Sequence, residues 1–201
     1  MSSLELCAVA FGLVSVYLST RENIWSWPTA IVNVALYALL FRREKLYADM
    51  GLQVVYLVLS FYGWYEWLYG GEHRTTLQVS RITPRQTSVL LAIGTICSLA
   101  LGTLLQRSTD AALPYLDSTL AVFSLIAQWM MTRKVLENWA VWILVDIVYV
   151  GMFVFLKHLY FTAFQYAVFL VLALMGHVQW HRSYRARLVV APQEGSAPAI
   201  A

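Results

Sequence analysis

Seven stretches of this chain are apolar and almost free of charge, and short polar joints separate them. They are Leu4–Thr20, Asn23–Phe41, Met50–Trp67, Gln86–Gln106, Ser118–Thr132, Asn138–Leu156 and Leu159–Trp180. Inside them the only charged residues are Glu5, Glu66 and Asp146. A helix needs about 17–25 apolar residues to cross a bilayer, and most of the runs have that length. Membrane strands would be about half as long and would alternate in polarity. These runs do not alternate, so the pattern predicts seven transmembrane helices. The joints hold the charge: Arg21-Glu22, Arg42 to Lys45, Glu72 to Arg85, Arg107 to Asp117, Arg133 to Glu137 and Lys157-His158. The first run lacks a basic start and a small-residue cleavage site, so it reads as a span and not as a signal peptide.

Composition agrees. Of 201 residues, 60% are apolar and 12% charged, about half the share of an average soluble domain. A soluble domain of this size cannot hide so much apolar surface. Two cysteines, Cys7 and Cys97, are too few for a disulfide framework, and their apolar settings predict small buried residues. A net charge of +3 is too small to indicate nucleic acid. Lys and Arg set orientation. With seven spans, the side holding the amino terminus carries five, and the side holding the carboxyl terminus carries nine. That predicts the amino terminus outside and the carboxyl terminus in the cytoplasm. The segment 181–201 is basic, then rich in Ala and Pro, and is expected to be a disordered cytoplasmic tail.

The chain also repeats itself. Asn23 and Trp27 recur as Asn138 and Trp142, at an offset of 115. Leu46-Tyr47 recurs as Leu159-Tyr160, and Gly63-Trp64-x-x-Trp67 as Gly176-x-x-x-Trp180, at 113. The repeat divides the chain into a three-helix unit (1–69), a loop with a single connecting helix (70–110) and a second three-helix unit (111–180). One connecting helix gives both units the same orientation. Parallel repeats of this kind relate by an axis along the membrane normal, as in SWEET carriers, with the binding site near the midplane between them. The connecting helix, Leu, Ala, Gly and Ser in character, reads as a lipid-facing tie.

Polar groups at membrane depth mark candidate sites. Trp139, Trp142, Asp146 and Tyr149 share one face of a helix. Two indoles, a carboxylate and a phenol suit a flat aromatic cation that carries a sugar. Asn138 opens the same segment. Asp49, Gln53, Tyr56 and Ser60 share a face of the third run, and Gln53 offers both donors and an acceptor. Asn33, Gln128 and Gln165 are further midmembrane amides. The alternatives are an interfacial belt for the tryptophans and helix–helix hydrogen bonds for Asp146 and the amides. There is no phosphate-binding glycine loop and no lysine in the seventh run, which disfavours ATP chemistry and a retinal Schiff base. His177 and His181 stand one turn apart at the membrane edge and read as a surface pair. A seven-helix sensor or membrane enzyme is a remote reading, and no metal or other cofactor is expected.

The combination Asn23-x-Trp25-x-Trp27-Pro28, Leu46-Tyr47-Ala48-Asp49 with Gln53 and Tyr56, Gly63-Trp64-Tyr65-x-Trp67 and Asn138-Trp139-x-x-Trp142-x-x-x-Asp146 resembles the Pnu family of vitamin transporters. The likeness runs from about residue 2 to about residue 182 and is greatest to its nicotinamide riboside carriers. It implies a SWEET-like fold of 3+1+3 helices, a homotrimer, a bacterial inner-membrane location and facilitated diffusion of nicotinamide riboside. A cytoplasmic kinase would trap the imported substrate. It further implies substrate contacts from Trp139, Trp142, Asn138, Asp146, Tyr149, Gln53, Asn33, Tyr56 and Gln128. Trp27, Pro28, Trp64 and Trp67 would form a gate or structural motif. Other members carry thiamine, riboflavin or deoxynucleosides, and a mildly acidic aromatic cage fits thiamine as well.

Overall fold

A computed structural model describes residues 3–45, 47–109, 112–156, 158 and 160–190. Leu46 and Leu159 of the repeat and the last residues of the tail, 191–201, lie outside the described residues. Seven α-helices follow in order: α1 Ser3–Thr20, α2 Ser26–Arg43, α3 Tyr47–Tyr69, α4 Pro84–Ser108, α5 Pro114–Thr132, α6 Asn138–Gly151 and α7 Tyr160–Val190. Helix α6 continues as a π-helical stretch, Met152–Leu156. This is an all-helical membrane protein.

The sequence signals for helix ends are visible. Thr83 caps α4 and exchanges hydrogen bonds with Gln86, and Pro84 occupies the first turn, where its missing N–H costs nothing. Pro114 likewise opens α5. Asn23, expected to start the second helix, instead sits in the preceding turn and accepts the Trp25 backbone N–H at 2.9 Å. The seventh helix does not stop at Trp180. It runs to Val190, so residues 181–190 are helical where a disordered tail was expected. Their Arg and Ala residues are good helix formers, and no Gly or Pro interrupts them. Cys7 and Cys97 are exposed, not buried: their apolar surroundings face outward, where lipid is the solvent.

Helix α1 packs on α2 and α7, α3 packs on α2 and α5, and α6 packs on α5 and α7. These contacts close a ring of six helices. Helix α4 stands outside it against α5. Its buried stripe is Gly94, Ser98 and Gly102, and a methyl on Gly94 would come within 2.9 Å of the Phe123 ring. The rest of α4 is largely exposed, as a tie in lipid should be. By length and hydropathy α1, α4, α6 with its π-helical end, and α7 are apolar enough to span a membrane. Helices α2, α3 and α5 carry more polar side chains, which lowers their hydropathy, and some of these, Asn33, Gln53, Ser60 and Gln128, line the space inside the ring.

The two halves make the same local contacts, at a closer offset than the motif spacing indicated. Trp67 donates its indole N–H to the Met131 carbonyl at 3.0 Å, and Trp180 to the Ser19 carbonyl at 2.9 Å. The Thr20 hydroxyl bonds the Tyr17 carbonyl just as Thr132 bonds that of Trp129. Glu22 and Lys134 both adopt left-handed backbone, as do Lys45 and His158. These pairs lie 112 or 113 positions apart. The structural partner of Trp27 is therefore Trp139, not Trp142, and Asn138 matches Ser26, not Asn23. Trp142 falls opposite Ala30.

Glycine makes the tryptophan packing possible. Trp27 lies against Gly63, and Trp139 against Gly176. A methyl on Gly176 would lie 2.5 Å from the Trp139 ring, so the ring or the helix must shift. We expect Gly176→Ala to destabilise the folded protein by about 1–3 kcal/mol, the usual cost of overpacking. A drop in the detergent-solubilised Tm checks this. An unchanged Tm would mean that the ring moves freely.

Candidate functional site

The ring encloses a cavity of about 490 Å³, within the range of small-ligand sites. Its length follows the helix axes. Glu5, Phe41 and Thr162 line it near one end, and Ser19, Met131, Trp27 and Trp139 at the other. The first end is the side of the amino terminus and the second the side of α7's carboxyl end.

That second end is sealed by four tryptophans. Trp27 meets Trp67 edge-on at 5.3 Å, Trp67 meets Trp180 at 5.8 Å, and Trp180 meets Trp139 edge-on at 5.4 Å. All four are at most 3% exposed. Below them the loop before α4 closes the layer, with Val79 buried and Leu77 packed against the cluster. Ser80 is stitched to the α5–α6 turn by bonds to Lys134 and Leu136, and Glu137 accepts from Arg81 at 2.8 Å. The segment between the repeats thus caps the seal, a contribution the sequence reading gave neither loop nor helix.

Across the seal, Glu22 and Lys134 pair at 3.2 Å. They occupy corresponding turns of the two halves. Lys134 is 7% exposed, and its ammonium also lies over the Trp67 ring at 4.5 Å. Burial holds this lysine below its ordinary pKa range, and the Glu22 carboxylate opposes that shift.

Above the seal, the cavity brings together Trp139, Trp142, Asp146, Gln53, Asn33, Tyr56, Gln128 and Trp27 of the sequence-derived set. Their states differ. Asp146 is 3% exposed, and among the described residues its carboxylate has no hydrogen bond or ion pair. A packing role would require such a bond. Gln53 and Gln128 likewise make no protein hydrogen bond among the described residues. Asn33 is partly committed: it donates to the Ala8 carbonyl at 2.7 Å and ties α2 to α1. Tyr56 bonds Ser124. Trp142 is half-buried, whereas Trp139 is floor.

Five residues of that set do not reach the cavity. Asn138 is fully buried and donates to the Val135 carbonyl at 2.6 Å, shaping the start of α6. Tyr149 stacks on Tyr166 at 4.4 Å and so props a residue that does line the cavity. Trp67 lies in the seal and Trp64 packs beside it. Pro28 sits in the first turn of α2 and does not line the cavity.

The structure adds Glu5, Tyr37, Tyr166 and Phe169 to the lining, and Gln165 lies beside Tyr37 there. The repeat held the signal for three of them. At the observed offsets Tyr37 corresponds to Tyr149, Tyr166 to Gln53, and Phe169 to Tyr56. No Lys, Arg or His is among the described lining residues, and Glu5 and Asp146 are its charged groups. The chamber can therefore stack a flat ring, satisfy hydroxyls or an amide, and balance a positive charge.

The profile of the family described as nicotinamide mononucleotide transporter matches residues 2–182. The nicotinamide riboside transporter PnuC of Escherichia coli is 26% identical, over 93% of this chain and 88% of its own. The riboflavin/roseoflavin transporter RibM of Streptomyces davaonensis is 27% identical, over 84% of this chain and 80% of its own. The crystal structure of the vitamin B3 transporter PnuC superposes with a TM-score of 0.72 at 25% identity, covering 91% of this chain and 82% of that one. This chain belongs to the nicotinamide mononucleotide transporter family, as a multi-pass membrane transporter and not an enzyme.

Proposed function

We propose that this protein imports nicotinamide riboside by facilitated diffusion. One observation carries the choice: the cavity's charged groups are two carboxylates, Glu5 and Asp146, with no basic residue among the described lining. A pyridinium nucleoside is a cation and fits. Its phosphorylated form bears an anionic phosphate, which the two carboxylates would repel and which no Lys, Arg or His among the described lining residues would balance, so the mononucleotide of the family description is a poor ligand. Riboflavin is neutral and gains nothing from the carboxylates. Thiamine, also an aromatic cation, is the second reading, and the same charge pattern supports it.

In this reading Trp142 and Tyr166 hold the ring, Asp146 balances its charge, and Gln53 and Gln128 meet the ribose. Asn33, Tyr56 and Trp139 complete the walls and floor. The two three-helix units, 1–69 and 111–180, rock about the central site. We place the amino-terminal side outside a bacterial inner membrane and the tail inside, a reading that the nine-to-five basic bias supports. The cavity then opens outward with its cytoplasmic end sealed. A homotrimer and trapping by a cytoplasmic kinase complete the proposal.

Titration calorimetry of the purified protein with nicotinamide riboside, its mononucleotide, thiamine and riboflavin tests it. Micromolar binding of the riboside, with none of the mononucleotide, is expected. Tight thiamine binding alone would move the assignment to the second reading. Initial uptake into vesicles should also ignore a protonophore, because proton relays need partnered acid groups at depth and Asp146 has no hydrogen bond or ion pair among the described residues. Collapse of uptake would show proton coupling.

A further inference from the structure

Helices α3 and α4 both pack on α5 but not closely on each other. Between them, on the side of the tail, runs a groove of about 1040 Å³. Its inner walls include Tyr62, Val89 and Trp129. Tyr62 lies seven residues from the end of α3 and Val89 five from the start of α4, which at 1.5 Å per residue is about 7–10 Å below the helix ends. Tyr62 and Trp129 are exposed, at 37% and 41%, as aromatics at a membrane interface are.

The rim has the opposite chemistry. Arg81, Arg85, Arg133 and Arg187 all line it. Arg81 is taken by Glu137, and Arg133 by Glu66 and the Tyr62 hydroxyl. Arg85 and Arg187 have no partner among the described residues. Arg187 reaches the groove only because α7 continues past Trp180. One exposed carboxylate, Glu72, also faces the groove.

We propose that this groove is a site for an anionic phospholipid. Its phosphate sits between Arg85 and Arg187, and an acyl chain lies along Val89 and Trp129. The polarity of the groove, apolar and aromatic at depth and cationic at the headgroup level, is that of an amphiphile. Basic pockets at helix ends on the cytoplasmic side recognise anionic headgroups in this way. A helix from a second copy would match the apolar depth but leave both arginines uncompensated.

The test uses Trp129 as the reporter. Wild type and Trp129→Phe are reconstituted in phosphatidylcholine vesicles that contain a small, equal fraction of brominated phosphatidylglycerol or brominated phosphatidylcholine. The difference between the two proteins isolates quenching at Trp129. A cytoplasmic-leaflet arginine draws an anionic headgroup about fivefold, so two should enrich it by about twenty-five-fold at the groove. Stronger quenching by the anionic lipid is expected, and Arg85→Gln with Arg187→Gln should remove the preference while uptake persists. Equal quenching by both lipids overturns the proposal. So does absence of quenching by either, which would mean that another protein surface fills the groove.

Discussion

Trp142→Ala is expected to weaken nicotinamide riboside binding by about thirty- to a thousandfold while the protein still folds. Trp142 lines the cavity one turn from Asp146 on α6 and is half-buried. A bound ring would bury most of its exposed face. Aromatic stacking adds about 0.5–1.5 kcal/mol, a desolvated cation over an indole about 2, and the remaining apolar area contributes at about 25 cal/mol per Å². The sum is about 2–4 kcal/mol of binding, and each 1.4 kcal/mol is tenfold. Trp139→Ala is the contrast. That ring is 1% exposed, meets Trp180 and fills the space beside Gly176. Its loss opens a core cavity at a cost of about 3–5 kcal/mol, so it should lower Tm before it lowers affinity. Calorimetry and a melting curve on both variants separate the two roles. Equal loss of affinity with equal Tm would show that the rings are interchangeable contacts.

Glu22→Gln is expected to loosen the seal. The ion pair with Lys134 joins the α1–α2 turn to the α5–α6 turn, so any opening on the tail side must break it. Glu22 keeps 21% of its side chain exposed. Discounted for that screening, a charged hydrogen bond is worth about 1–2 kcal/mol. The sealed state should lose about five- to thirtyfold in population relative to the open one. Ser19 lies just above the tryptophan layer and is 8% exposed. Cysteine placed there, with Cys7 and Cys97 replaced, should react faster by that factor with an impermeant maleimide applied from the tail side. The reversed pair, Glu22→Lys with Lys134→Glu, should restore slow labelling. If neither variant changes the rate, the tryptophans alone hold the seal.

Much of the architecture was legible in the chain. Seven charge-poor runs gave seven helices, since a bilayer demands continuous apolar length. The site was legible where depth made polarity costly: Asp146, Gln53 and Gln128 all face the cavity with no hydrogen bond among the described residues. It was less legible where one motif holds residues with different jobs. Trp139 and Trp142 share a helix face, yet the glycine of α7 draws one into the floor and leaves the other in the chamber. Motif letters aligned Trp27 with Trp142. Backbone and hydrogen-bond geometry aligns it with Trp139, because the turn before α6 and the turn before α2 match in conformation but not in sequence. Glu5 was read only as an interruption of an apolar run. Its place at the cavity mouth depends on α1 meeting α7, a contact between the two ends of the chain that no local pattern encodes.

Helix α4 touches the ring only from outside, but joining the halves in one chain has a consequence for their content. Two separate, identical three-helix units assembled about an axis would have to present the same side chain twice, either two facing carboxylates or none. Here Asp146 stands in one half and Val34 at the matching place in the other. Duplication followed by fusion frees each copy to mutate alone. The chamber can then balance a positive charge at Asp146 without a symmetry-related carboxylate at the place of Val34 repelling it, and an unsymmetrical ligand can bind in a single orientation.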